Sequence, residues 1–562
     1  MVASPWWSSA VVYQIYPRSF ADSNGDGLGD LRGIIDHLDH VAGLGADVVW
    51  LSPIYVSPQD DNGYDIADYD EIDPMFGTMA DFDELVAAAH DRGIKIVMDL
   101  VVNHTSDEHP WFVESRDPAS PKRDWYFWRP ARPGHEPGTP GAEPTNWGSF
   151  FGGSGWAFDA ESGEYYLHLF SRKQPDLNWE NPEVREAVYA MMRRWVARGV
   201  DGFRMDVINL ISKTLPLTDG IQLPGDPYSY EIERVANGPR MIEFLEEMNA
   251  AVGISERQLF TVGELVLGGV DHAREYTSRS ADRLGMVFTF EHVSVDHDGS
   301  KLNPKPLHLP DLKQNLARWQ AGLAEDGWNS LYVENHDQPR SVSRWGDDSP
   351  EHRVTSAKAL ATVLHLHQGT PFIYQGQEIG MTNAGFTSIE QYADVEAHGQ
   401  YADATASGVP AQAVLDALAA MGRDNARTPM PWTPEGGFTT GTPWLPLNAT
   451  TAEINVADDV ADPEGVYAHY RALIELRHTE EVVRSGRFEL LLPDHETLWA
   501  FTRTTDEDAL LVLANMASHL SGVPMGELPS LEGADLLLSS VYPGTDPQTL
   551  APWEARVYRL RG

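Results

Sequence analysis

Residues 81–104 read DFDELVAAAHDRGIKIVMDLVVNH and hold a complete structural unit. Asp81–Asp91 places apolar side chains at helical spacing and stops just before Gly93, a residue that favours ending a helix. Ile94–Val101 follows as a nearly continuous apolar run. It is too short for a helix and too apolar for a half-exposed strand, which fits a strand buried on both faces of a parallel sheet. The unit then ends on polar residues, Asn103 and His104.

Working outward, the same texture recurs along the chain. Runs comparable to Ile94–Val101 occur at Val11–Tyr16, Asp47–Leu51, Gly202–Val207, Leu259–Gly263, Met286–Phe290, Ser330–Val333 and Phe372–Tyr374, which makes eight. Helical stretches lie between them; Glu183–Ala197, for example, starts after Asn181-Pro182 and stops before Gly199. Eight strands alternating with helices predict an α/β protein built on a (β/α)8 TIM barrel. An open doubly wound sheet alternates in the same way.

Two stretches break the alternation. Residues 105–175, rich in Trp, Pro and Gly and without a helical period, are expected to form a subdomain inserted after the third strand. A second insertion, 383–455, follows the eighth strand and includes an Ala-rich stretch, Ala411–Ala420, with no evident place. Beyond residue 480 short alternating runs (Phe488–Leu492, Leu498–Thr502, Leu510–Leu513, Arg556–Leu560) predict a C-terminal antiparallel β domain. The expected division is a barrel from 1–104 and 176–479, an inserted subdomain at 105–175 and a β domain at 480–562.

Composition narrows the function. The 562 residues carry 84 Asp+Glu against 41 Lys+Arg, a net charge of −43. Such a surface repels phosphate backbones and anionic membranes, so neither nucleic acid nor a membrane is an expected partner. With no cysteine, disulfides, thiolate metal sites and cysteine nucleophiles are excluded. No apolar run is long enough to span a bilayer, and the first twenty residues lack a basic segment leading into an apolar one. A cytoplasmic enzyme is the expectation.

In a barrel, reactive groups gather at the C-terminal ends of strands. Four such ends here are polar: DLVVNH (99–104), GFRMDVIN (202–209), VGEL (262–265) and VENHDQ (333–338). Asp206 and Arg204 lie two residues apart on one face of a strand, where the Arg charge can keep the Asp ionised. Glu264 follows an apolar run, a setting that favours its protonated form. Asp22, Asn24, Asp26 and Asp30 set oxygens at alternate positions around glycines, as in an EF-hand loop, but the closing acid is missing because position 12 is Gly33. Three Asp exclude a phosphate-binding role for that loop.

These strand ends, together with GDGLGDLRGI (25–34), GYDIADY (63–69), QPDLNW (174–179) and DNARTPMPW (424–432), resemble the α-amylase superfamily, glycoside hydrolase family 13, and within it the oligo-1,6-glucosidase and α-glucosidase group. The resemblance implies a retaining, exo-acting α-glucosidase that releases α-glucose from short α-glucosides. Asp206 would be the nucleophile, Glu264 the general acid/base and Asp337 the third acid. It further implies that His104 and His336 donate to sugar hydroxyls, that Tyr64 stacks on the ring, and that Asp65 pairs with Arg423 at the closed end of the pocket. Phe170 and Gln174 would flank the site, with Arg204 beside the nucleophile. Val207, directly after the nucleophile, accompanies α-1,6 activity in this group, with α-1,4 linkages or sucrose as further substrates. Related glucosidases hold a structural Ca²⁺ through the residues matching Asp22, Asn24, Asp26, the carbonyl of Leu28 and Asp30; no organic cofactor is implied. The alternatives are a transglucosylase or a sucrose- or trehalose-type isomerase using the same glucosyl-enzyme. No Arg-rich loop of the isomerase type occurs near residues 285–300. A non-catalytic interaction domain is a remote reading, opposed by the presence of all three carboxylates. The expected assembly is a monomer or homodimer.

Overall fold

All eight apolar runs form parallel strands: β1 (Val12–Ile15), β2 (Val48–Leu51), β3 (Lys95–Val101), β4 (Gly202–Asp206), β5 (Phe260–Glu264), β6 (Met286–Phe288), β7 (Ser330–Leu331) and β8 (Thr370–Tyr374). The computed structural model describes residues 5–223, 227–541 and 546–561. The strands pair in the order β6-β5-β4-β3-β2-β1-β8-β7, and a parallel bridge between Val287 and Asn329 brings the two ends together. The sheet is therefore a nearly closed barrel, not an open doubly wound one. Register is tight where chemistry will gather: Asp99 of β3 lies opposite Arg204 of β4, and Val101 opposite Asp206. At Gly202 a Cβ would stand 2.1 Å from the Phe260 carbonyl oxygen, so β4 can approach β5 only with glycine there.

A helix follows each strand: α1 (Leu31–Leu44), α2 (Met79–Asp91), α3 (Pro182–Ala197), α4 (Met241–Val252), α5 (Val270–Tyr276), α6 (Leu309–Leu323), α7 (Arg353–His365) and, after β8 and its insertion, α10 (Val466–Thr479). Local signals set their ends. Asp30 caps α1 by accepting from the Gly33 N–H, Thr78 and Asp81 form a capping box on α2, and Asn181 with Pro182 opens α3.

The segment after β3 carries a three-stranded antiparallel sheet (Trp128–Arg129, Glu164–Leu167, Trp156–Asp159). It also holds one short helix, Pro110–Ser115, started by Pro110 where no helical period is visible. The insertion after β8 contains α8 (Val395–Ala406) and α9 (Ala411–Met421), so the Ala-rich stretch is a helix. Val414 and Leu418 of α9 pack with Phe386, Tyr392 and Ala397 in a small core of their own. The C-terminal region is a five-stranded antiparallel sheet that includes Asp535–Ser539, an edge strand not marked among the alternating runs.

Lys313 on α6 fastens this sheet to the barrel. Its ammonium, wholly buried, donates to the carbonyls of Leu492 (2.7 Å), His495 (2.7 Å) and Leu498 (2.9 Å), and burial pushes its pKa down to about 8. Replacing the ammonium with a thioether leaves three carbonyls without their donor, at a cost of about 2 kcal/mol. Lys313→Met is therefore expected to lower Tm by a few degrees with turnover unchanged; an unaltered melting curve would show that the sheet docks by other contacts.

Candidate active site

One guanidinium organises the C-terminal face of the barrel. Arg204, 1% exposed, donates from Nη1 to Asp99 Oδ1 (2.7 Å) and to Asp206 Oδ1 (2.8 Å), while Nη2 lies 2.8 Å from Glu264 Oε2. These groups come from the ends of β3, β4 and β5, so parallel register places them together. Asp206 and Glu264 each meet one terminal nitrogen of a single planar guanidinium fork.

Val207 continues this arrangement through its backbone. Its φ of 36° is left-handed, a conformation rare for a β-branched residue. There its N–H donates to Glu264 Oε2 at 3.0 Å. The Val207 side chain faces the inserted subdomain, in a cluster with Leu210, Phe127 and Trp147.

Three carboxylates share that one cation, and burial dominates the balance. Desolvation pushes Asp206 upward; Arg204 opposes it, while Glu264 and Asp99 add to it. Asp99 is likewise pushed up to about 6 by burial against the pull of Arg204. The contact of Arg204 with Asp206 is present as expected, but its net result is not a depressed Asp206.

Asp337, in the loop after β7, lies in the opposite field. Burial would raise it, but Arg427 (2.7 Å) and Arg423 (3.3 Å) both reach Oδ1 and hold it well below the usual carboxylate range. His336 also stands 3.2 Å from Oδ2, yet burial keeps this imidazole neutral down to about 3, so the arginines carry the effect.

Arg423 does not pair with Asp65. Asp65 is fully buried and accepts from Ser57 Oγ (3.0 Å) and from the N–H groups of Asp60 (2.9 Å) and Asp61 (3.0 Å), which shapes the loop instead. The carboxylate that this loop presents to Arg423 is Asp61, at 3.3 Å. Among adjacent acids in DDNGYD (60–65) the sequence offered no signal to separate them; only the fold of the loop does. Arg423 also pairs with Asp337, Asp394 and Glu396, the last two brought in by the insertion after β8. Divided among four carboxylates, it cannot offset the burial of Asp61, whose pKa rises to about 7.

The remaining expected residues surround this centre. The Tyr64 and His336 rings stack 5.2 Å apart, and the Tyr64 hydroxyl meets Asp99 Oδ2 (3.1 Å) and His336 Nε2 (2.7 Å). His104, which burial holds neutral with a pKa of about 4, has Nε2 3.1 Å from the Tyr64 carbonyl and 3.2 Å from Gln174 Nε2. Gln174 donates to Asp61 Oδ2 (3.1 Å), and Phe170 lies 5.2 Å from the His104 ring.

The loop 22–30 is closed by its own hydrogen bonds. Asp22 accepts from the N–H groups of Asn24, Gly25 and Gly27, and Asp26 from that of Leu28. Asp30 is committed to Gly33 N–H and to Ser23. Its donors are all oxygen, as a hard cation requires. Among the described residues no group of three or more His, Cys, Asp or Glu side chains converges as a metal site.

Residues 14–486 match the model of the α-amylase catalytic domain. The chain is 51% identical to the oligo-1,6-glucosidase of Halalkalibacterium halodurans, over 99% of each. Among solved structures it resembles the trehalose-6-phosphate hydrolase of Bacillus licheniformis (44% identity, TM-score 0.93, covering 99% and 100%). It also resembles the isomaltulose synthase of a Klebsiella species (39% identity, TM-score 0.93, covering 100% of both).

The raised Asp61 has a consequence for stability. A carboxyl whose pKa climbs to about 7 on folding stabilises the fold fully below its ordinary value, and that contribution is lost as pH rises through about 7. Asp61→Asn is expected to flatten the fall of Tm between about pH 4 and 7. It should melt a few degrees above the parent at about pH 8. Parallel Tm–pH curves for the two proteins would contradict the burial argument.

Proposed function

The chain belongs to the α-amylase family of glycoside hydrolases, and on that premise we propose that it is a retaining, exo-acting α-glucosidase acting on short α-glucosides, α-1,6 linkages included. The observation that carries the reading is the position of the Asp61–Arg423 wall. Arg423 joins Asp61 to Asp337, and His336 beside Asp337 leads through the Tyr64 hydroxyl to Asp99 and the Arg204 cluster, so we read this wall as the closed end of the sugar pocket. A pocket closed at that end receives only the non-reducing glucose.

In the first step the Asp206 carboxylate attacks the anomeric carbon while the glycosidic bond breaks and Glu264 gives its proton to the departing oxygen. Glu264 Oε2 is already bound by Arg204 and Val207 N–H, which leaves Oε1 as the oxygen that carries this proton. In the second step Glu264 takes a proton from water, the water oxygen bonds to the anomeric carbon, and the ester to Asp206 breaks. Two inversions restore the α configuration. Asp337, kept ionised by Arg423 and Arg427, accepts from sugar hydroxyls, and neutral His104 and His336 face the same ring beside Tyr64 and Phe170.

Two features support α-1,6 acceptance: Val207 directly after the nucleophile, the residue that accompanies this activity in the family group the sequence resembles, and the names of relatives such as the oligo-1,6-glucosidase of Halalkalibacterium halodurans. Residues 285–300 contain no arginine, which favours hydrolysis over isomerisation despite the likeness to an isomaltulose synthase; interception of the ester by a sugar hydroxyl gives transglucosylation as a side reaction. Loop 22–30 is the proposed place for a structural Ca²⁺, held by Asp22, Asn24, Asp26, the Leu28 carbonyl and Asp30. No described helix is long and apolar enough to cross a membrane, and we place the enzyme in the cytoplasm as a monomer or homodimer.

Incubation with isomaltose, maltose, sucrose and trehalose, each followed by proton NMR from the first minutes, tests the reading. The expected result is α-glucose from isomaltose, ahead of maltose. Initial β-glucose, or no turnover of any of the four, would overturn it. Under the same assay Asp61→Ala is expected to lower kcat/KM about a hundredfold with Tm retained, whereas Asp65→Ala should lower Tm first. A chelator is expected to lower Tm, with Ca²⁺ restoring it; a melting curve indifferent to both would remove the cation from the proposal.

A further inference from the structure

Gln14 lies on β1, buried, at the C-terminal face of the barrel and outside every role described above. One amide nitrogen serves two neighbours: Nε2 lies 3.2 Å from Ser52 Oγ and 2.9 Å from His336 Nδ1. On the far side of the imidazole, His336 Nε2 stands 2.7 Å from the Tyr64 hydroxyl and 3.2 Å from Asp337 Oδ2. The Tyr64 hydroxyl is also 3.1 Å from Asp99 Oδ2, and Asp99 is bound in turn by Arg204.

We propose that Gln14 is a positioning residue that fixes the tautomer of His336, so that Nε2, beside the Tyr64 hydroxyl and Asp337, carries an N–H rather than a lone pair. A neutral imidazole has one donor and one acceptor nitrogen. A Gln14 N–H pointing at Nδ1 makes that nitrogen the acceptor and sends the proton to Nε2. The rest of the chain then satisfies itself in one direction: His336 Nε2–H donates to the Tyr64 oxygen, and Tyr64 O–H donates to Asp99. The reverse orientation of the Gln14 amide would take the proton to Nδ1. It would set the Nε2 lone pair against the Asp337 carboxylate at 3.2 Å, a repulsive contact.

The groups facing His336 make its ionisation a poor substitute for this control. Asp337 favours the cation; Arg204, Arg423 and Arg427 oppose it; the rings of Tyr16, Trp50 and Tyr64 enclose it. The ring is wholly buried and stays neutral through the working range, so only the tautomer is left to decide which nitrogen donates.

The test pairs spectroscopy with kinetics; the spectroscopic arm stands without the glucosidase reading, on which only the kinetic arm rests. In protein labelled with ¹⁵N-histidine, His336, assigned by its loss in His336→Gln, is expected to show the proton on Nε2. Gln14→Glu places a carboxylate against Nδ1 and should move that proton to Nδ1. Turnover of isomaltose should then lose about ten- to a hundredfold in kcat/KM at alkaline pH, recovering on acidification as Nε2 is protonated again. Gln14→Met removes the donor without adding charge; it should mix the two tautomers, cost less activity and add no new limb to the pH profile. If Gln14→Glu does not fold, Gln14→Met alone decides through the tautomer ratio. A parent protein with its proton on Nδ1, or an unchanged tautomer in the folded variants, overturns the proposal.

Discussion

The catalytic face depends on a single buried cation. Arg204 reaches three carboxylates from three different strands, and among the described residues none of them has another full positive charge in direct contact. Removing one partner from a buried ionic cluster costs about 3–5 kcal/mol, so the strand ends of β3, β4 and β5 are fixed relative to one another by the same group that tunes their protons. The close approach of β4 to β5, possible only with Gly202, and the left-handed Val207 both serve this junction. Strain in the backbone at Val207 turns an N–H onto Glu264 and thereby chooses which of its oxygens is free to carry a proton.

A second cation, Arg423, gathers Asp61, Asp337, Asp394 and Glu396. It stands at the far edge of an insertion whose helices, α8 and α9, form a small core separate from the barrel. Asp394 caps α8 and also binds Arg423, so the fold of the insertion and the position of the wall are one construction. The electrostatic division follows from this arrangement. Asp337 sits between two arginines and is ionised, whereas Asp61, Asp99 and Asp206, where carboxylates outnumber cations, retain protons more readily. Neighbouring acids acquire different tasks from their surroundings alone.

Much of this was legible in the chain. Strands buried on both faces read as unbroken apolar runs, and all eight runs became barrel strands, four of them followed by the polar clusters singled out in the sequence. What escaped was set by contacts distant in sequence. Asp61 and Asp65 are equivalent on paper; the turn that buries Asp65 under three donors exposes Asp61 to a guanidinium 362 residues away. The balance at Asp206 depends on how many carboxylates share Arg204, which no local spacing reveals. Ala411–Ala420 has helix-forming composition but no long-range pattern, so its place had to come from the core it joins. Asp535–Ser539 pairs with a strand near the end of the chain through an irregular register, and its exposed Leu536 hides the alternation.

The central claim is that Asp206, held beside Glu264 by Arg204, forms a bond to the anomeric carbon. A slow fluorinated α-glucosyl fluoride that forms the ester but resists its hydrolysis, followed by peptide mass spectrometry, tests this directly. The account predicts one glucosyl label per chain, on the peptide containing Asp206, lost in Asp206→Asn. Rapid turnover with no trapped ester, or a label on Glu264 or Asp337, would contradict it.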